Sequence, residues 1–218
     1  GEEKWRIKNI GMPNLIKKNF KFKKLSQLSK EYNFDLNQPY IVLTYHPVTL
    51  DLKNLKKELH IISKAINHTN FNIVLTYPNS DPKFKSIIKI LKKEIKNNLL
   101  IIKSCSEKNF FSLLKFSNFT LGNSSSGIVE AASLKIPSIN IGDRQKGKYM
   151  PKNVINVKAK LEEILKGINK AKNKYFKNSI QKIKNPYNSK VSLNLIANQI
   201  INFKSYNKLL KKKFVDIK

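Results

Sequence analysis

With 218 residues, 43 Lys plus Arg against 14 Asp plus Glu and a formal net charge of +29, the chain is strongly basic. It is long enough for one domain with a proper core, and 40% hydrophobic with 10% aromatic residues excludes a disordered chain. No apolar run approaches the ~18 residues of a membrane-spanning helix, and the lone Cys105 excludes an intrachain disulfide framework or a Cys-rich zinc site, which fits a reducing cytoplasm.

The start Gly1-Glu2-Glu3-Lys4 has neither a signal peptide's apolar core nor an initiator Met, so the expectation is a chain that begins within a longer protein. Trp5 to Ile10 reads as a lead-in strand and Lys24 to Tyr32 as a helix. From residue 40, β-branched runs alternate with helical patterns. Strands are predicted at 40–45, 72–77, 99–103, 119–122, 138–141 and 154–157, and helices at 51–68, 82–96, 107–116 and 126–134. In the first of these helices Leu52, Leu55, Leu59, Ile62 and Ile66 form one apolar stripe. Strict alternation implies βαβ units and a Rossmann-like parallel sheet with helices on both faces. Beyond 158 the pattern is helical, at 158–170, 172–183 and 190–206, with Asn185-Pro186-Tyr187-Asn188 as a turn. The expected division is a lead-in segment 1–39, a Rossmann-like domain 40–184, and a C-terminal helix with a basic tail 185–218.

Charge alone points toward nucleic acid, but its distribution does not. Nucleic-acid readers concentrate basic residues on one face, rely on Arg and interleave aromatics for stacking. Here only Arg6 and Arg144 are arginines, and the lysines fall on predicted helix faces, as in Lys53, Lys56, Lys57 and Lys64. A solvated surface fits better than a specific nucleic-acid site. The tail, with Lys211, Lys212 and Lys213 beside Leu209, Leu210 and Phe214, is compatible with an anionic membrane surface and fits better as a solvated terminus.

In an open parallel sheet, ligands bind outside the carboxyl ends of the strands. There the chain places Gly122-Asn123-Ser124-Ser125-Ser126-Gly127, opening the predicted helix through Glu130. A helix start offers unpaired N–H groups, small residues admit a phosphate, and hydroxyls add donors, so the segment reads as a diphosphate cradle; an ordinary serine N-cap is the plainer alternative. Without Gly-Lys-Ser/Thr it is no Walker site. Glu130 is either a surface carboxylate or an acceptor for a ribose diol. His46, with Pro47 ending its strand, is a general acid or base, a phosphate donor, or a loop anchor. Thr76-Tyr77-Pro78-Asn79-Ser80-Asp81 forms a second polar edge. Arg144, in a chain that otherwise uses Lys, suggests bidentate phosphate binding. No spacing of His, Cys or carboxylates suggests a metal site.

Together HPVT at 46–49, TYPNSD at 76–81, GNSSSGIVEAASLKIPSINIGDRQKGK at 122–148 and NPY at 185–187 resemble the hydrolysing UDP-N-acetylglucosamine 2-epimerases of the sialic-acid and legionaminic-acid pathways, over about residues 5 to 205. The resemblance implies the C-terminal, nucleotide-binding half of a two-domain GT-B enzyme, whose N-terminal catalytic domain lies outside this chain. It implies that Ser124 and Ser125 hold the UDP diphosphate; Asn123, Ser126 and Gly127 complete the cradle read from the residues. Glu130 then meets the uridine ribose, Arg144 lies near the nucleotide, and His46 stands at the active site. It also implies a UDP-sugar substrate, neither metal nor nicotinamide, and a cytoplasmic enzyme, and it is compatible with a homo-oligomer. UDP is eliminated to give a 2-acetamidoglucal, and water then adds to give N-acetylmannosamine or its analogue. Asn188-Ser189-Lys190 departs from the Gly-Asp-Gly that commonly follows NPY.

Overall fold

Runs of Ile, Val and Leu become six parallel strands in a computed structural model, which describes the chain except at residues 1–2, 13–14, 16–19, 49–53, 79–83, 189–191, 205 and 211–218. The strands are β1 (Tyr40–Thr44), β2 (Asn72–Thr76), β3 (Leu99–Ile102), β4 (Thr120–Gly122), β5 (Ser138–Ile141) and β6 (Val154–Val157), in the order β3-β2-β1-β4-β5-β6. Val42 stands opposite Val74 on one side and Thr120 on the other. The order reverses between β1 and β4, which makes their carboxyl ends the crevice where such sheets receive ligands.

Because side chains alternate along a strand, successive residues of β1 serve opposite faces. Ile41 and Leu43 pack with Leu59, Ile62 and Ile66 of α2 (Leu55–Asn67), Leu91 of α3 (Phe84–Glu94) and Ile168 of α6 (Leu161–Lys172). Tyr40 and Val42 pack with Leu28 of α1 (Leu25–Tyr32), Leu113 and Leu114 of α4 (Glu107–Phe116) and Leu134 of α5 (Glu130–Leu134). Each fully buried Leu or Ile contributes about 1.5–3 kcal/mol. The Tyr40 hydroxyl donates to the Leu113 carbonyl at 2.7 Å, pinning β1 to α4, and burial pushes its phenol well above the usual range.

The chain divides into two units, residues 16–185 and residues 1–15 with 186–218. The expected cut at 39 is displaced because Phe22, Leu25, Leu28 and Leu36 belong to the core on the α4 face of the sheet. The expected lead-in strand at Trp5–Ile10 is instead a 3₁₀ turn at Lys4–Arg6 followed by extended chain, with the Arg6 guanidinium donating to Glu3 at 3.2 Å, one turn away. In that same unit the Met12 N–H donates to the Tyr187 carbonyl at 2.8 Å. The helix expected at 190–206 is two, α8 (Leu193–Ile201) and α9 (Tyr206–Leu210), because the backbone leaves helical geometry after Asn202, a residue whose side chain competes with helical bonding. The helix expected at 172–183 is the shorter α7 (Lys174–Ser179), capped by the Asn173 side chain. The tail residues Lys211 to Phe214 lie outside the described residues. Among those described, no helix is long and apolar enough to cross a membrane.

Candidate functional site

The crevice is built on a close approach that only glycine permits. Gly122, at the end of β4, has φ +134, and a Cβ there would lie 1.9 Å from the Thr44 carbonyl oxygen of β1. The two backbones therefore meet at their carboxyl ends, and the Asn123 N–H donates to the Thr44 carbonyl at 3.2 Å. Thr44 in turn shares a hydroxyl hydrogen bond with Thr76 of β2, so three neighbouring strands are tied at the same level.

Asn123 is 1% exposed. Its side-chain carbonyl accepts from the His46 N–H at 2.7 Å and its amide donates to the His46 carbonyl at 2.9 Å. Its own carbonyl accepts from Arg144 Nη1 at 3.2 Å and Gln145 Nε2 at 2.8 Å. One residue after β4 thus joins the loops that follow β1 and β5, bringing together His46, Asn123 and Arg144. His46 is buried at 5% exposure and Arg144 is half-buried.

The serines follow directly. Ser124 caps a 3₁₀ turn at Ser125–Gly127, accepting from the Ser126 N–H at 3.4 Å and from the Ser126 hydroxyl at 3.0 Å. That orientation leaves the Ser124 hydroxyl proton to be donated elsewhere. The helix expected at 126–134 is interrupted here: α5 begins only at Glu130, because the turn lies flat on β5, where a Cβ on Gly127 would stand 2.3 Å from Ser138 Oγ. Ser125 is exposed, Ser124 and Ser126 are half-buried, and Gly127 is buried. Asn185, the first residue of NPY, donates to the Val129 carbonyl and to Ser133 Oγ, both at 2.7 Å, and so holds α5.

Glu130 is half-buried, and its Oε2 is buried without a hydrogen-bond partner among the described residues. Burial pushes its carboxyl above the usual carboxylate range, while its own backbone N–H and the Lys148 ammonium draw it back down. Beside the turn an open groove of about 950 Å³ runs over the ends of β5 and β6, lined in part by Arg144, Lys146, Lys148, Tyr45 and Asn140. The serines do not line that groove; Ser124 and Ser126, with Thr44, Thr120 and Ser138, surround a separate void of about 10 Å³, the size of one water.

Two features were missed in the sequence. Tyr45 donates to Glu58 of α2 at 2.6 Å, forming a wall of the groove. Gln145 is 2% exposed, and its Oε1 has no partner among the described residues. The only sequence signal for either was adjacency, to His46 and to Arg144. Asp143 is exposed, while Thr49 and Asn79 to Asp81 lie outside the described residues.

A family model described as UDP-N-acetylglucosamine 2-epimerase matches residues 1–201. The chain is 32% identical, over its full length, to a Campylobacter jejuni GDP/UDP-N,N'-diacetylbacillosamine 2-epimerase (hydrolyzing), of which it covers 57%. It is 33% identical to a Legionella pneumophila UDP-N,N'-diacetylbacillosamine 2-epimerase (hydrolyzing) over 80% of this chain and 47% of that one. The chain therefore spans about half the length of the curated relatives it matches. Its fold is shared with a Methanocaldococcus jannaschii UDP-GlcNAc 2-epimerase solved in complex with UDP-GlcNAc and UDP, at TM-score 0.55 and 22% identity over 84% of this chain and 52% of that one.

Proposed function

The chain belongs to the UDP-N-acetylglucosamine 2-epimerase family, and we propose that it is the UDP-binding half of a hydrolysing 2-epimerase with GT-B architecture. The observation that carries the reading is that Arg144 bonds the Asn123 carbonyl directly before the hydroxyl-bearing turn that follows β4, while Glu130, which opens α5 after that turn, holds a buried carboxylate oxygen without a partner among the described residues. These are donors for a diphosphate beside an acceptor for a sugar diol. Asn123 joins them to His46.

The proposed reaction removes the proton at C2 of the sugar and breaks the C1–O bond, the electron pair leaving with the UDP oxygen. Water then adds across the glycal, hydroxyl to C1 and proton to C2. The products are UDP and a free 2-epimeric amino sugar, N-acetylmannosamine or its analogue. In this chain Ser124, Ser125, Ser126, Gly127 and Arg144 serve the leaving diphosphate, Glu130 the ribose, and His46 the proton traffic at the bond that breaks. A diacetamido sugar is the preferred substrate, since the relatives at 32% and 33% identity carry diacetylbacillosamine in their names.

Calorimetry with UDP tests the cradle. The chain binds UDP without added metal, and Ser124→Ala removes a hydroxyl donor to a charged acceptor, about 1.5–3 kcal/mol or roughly ten- to a hundredfold in affinity. Equal affinity of the two proteins removes Ser124 from the site. Release of a free amino sugar, with no transfer to an acceptor, by the complete enzyme separates this reading from a GT-B glycosyltransferase.

A further inference from the structure

We infer that Asn123 is a positioning residue that sets His46 and Arg144, and not a contact for the nucleotide; this rests on the functional reading above. The β1–β4 ladder ends where Thr44 stands opposite Gly122. One residue further on, the Asn123 side chain takes over the part of a strand, accepting from the His46 N–H at 2.7 Å and donating to the His46 carbonyl at 2.9 Å. An amide plane bonded at both ends cannot rotate, so the direction in which the His46 side chain leaves the backbone is referred to residue 123. The same residue's carbonyl accepts from Arg144 at 3.2 Å and Gln145 at 2.8 Å, and its N–H donates to Thr44. Every polar atom of Asn123 already has a protein partner, and the residue is 1% exposed.

Only asparagine satisfies this geometry. Aspartate keeps the acceptor for the His46 N–H but turns an oxygen toward the His46 carbonyl, glutamine is one methylene too long, and leucine offers neither group. A shift of the His46 main chain would displace a group on the proton path, and catalytic geometry tolerates little misplacement.

The chain has three histidines, so a ¹³C-histidine-labelled sample gives three imidazole signals, with His60 and His68 on or at the end of α2 as internal references. Asn123→Asp is expected to move or broaden the His46 signal in the ligand-free protein, leave His60 and His68 in place, and weaken UDP binding about tenfold. Asn109→Ala removes another buried amide, one that donates to Glu31 at 2.6 Å and Tyr32 at 2.8 Å, and serves as the control for lost stability, leaving both readouts as in the wild type. If Asn123→Asp does not fold, Gln145→Met carries the same test by removing one bond that seats the Asn123 carbonyl. An unmoved His46 signal with unchanged UDP affinity overturns the inference. Absence of UDP binding in the wild type overturns the functional reading instead, and the ligand-free His46 signal still decides the clamp.

Discussion

Glu130 carries a carboxylate oxygen that is buried, unpartnered among the described residues and raised above its usual range, a combination that works against folding. Between the ordinary value of 4.5 and the raised folded value, the native protein holds more protons than the unfolded chain, so stability falls as pH rises through that window. Above the window the full penalty is present; below 4.5 it is absent. Glu130→Gln is neutral at every pH and escapes it. Its thermal midpoint is therefore expected above wild type at pH 7, with the advantage shrinking as pH falls toward 4.5, while UDP affinity drops about tenfold if the carboxylate accepts from a ribose diol. A variant that is less stable at pH 7 and binds UDP normally makes Glu130 a structural residue. Residues of this kind were legible in the sequence because their types announce their chemistry: serines after a strand, a glutamate one turn on, an arginine in a chain of lysines. The role of Asn123 was not legible, since it depends on His46, 77 positions away, arriving opposite it. Gln145 was hidden for the same reason, since its partner is set by strand order, and the Tyr45–Glu58 pair because it depends on how α2 returns over the end of β1.

At the scale of elements, the serine turn is set by how closely it lies on β5. A Cβ on Gly127 would be 2.3 Å from Ser138 Oγ, 3.2 Å from Thr120 Oγ1 and 3.5 Å from Ser138 Cβ. Gly127→Ala is expected to destabilise by about 1–3 kcal/mol through overpacking. Ser138→Ala removes the nearest obstacle, so the double variant should recover most of that loss, with a coupling of about 1–2 kcal/mol in a urea-unfolding cycle of the four proteins. Additive effects of the two substitutions would mean the clash is relieved by movement of the turn itself. The same contact explains why the helix was misread. Ile128, Val129, Ala131 and Ala132 continue an apolar pattern from the serines, but the turn must first settle on Ser138, and α5 starts only at Glu130. The strands were legible to within a residue at each end because both faces of this sheet are covered, so β1, β2 and β3 are apolar nearly throughout and stand out from their flanks. The N-terminal segment was misread because a strand needs a neighbour, which Trp5 to Ile10 cannot announce.

At the scale of the whole molecule, charge and the demands of the proposed reaction bear on what the chain does alone. Lys56, Lys57, Lys64, Lys89, Lys92, Lys93 and Lys96 are exposed along α2, α3 and the residues just after, so the net charge of +29 attracts polyanions generally. Nucleic-acid binding from that source falls steeply with salt and is indifferent to UDP. Turnover of UDP-N-acetylglucosamine, or of its diacetamido analogue, makes a stricter demand. A base at C2 and help for the departing diphosphate must both reach one substrate, in a site that excludes water. In the proposed reading the cradle, Arg144 and His46 serve the leaving-group side. Among the carboxylates at the strand ends, Glu130 is assigned to the ribose and Asp143 is exposed on its loop. The chain covers 57% of its Campylobacter relative, and the proposed reading looks for the C2 base in what corresponds to the remainder. The purified 218-residue chain is therefore expected to bind UDP at 150 mM salt yet release neither UDP nor free amino sugar from the UDP-sugar, and to gain turnover when the N-terminal half of such an enzyme is supplied in trans. Catalytic release by this chain alone would move the C2 base onto its own carboxylates, Asp143 first, and Asp143→Asn would then abolish it.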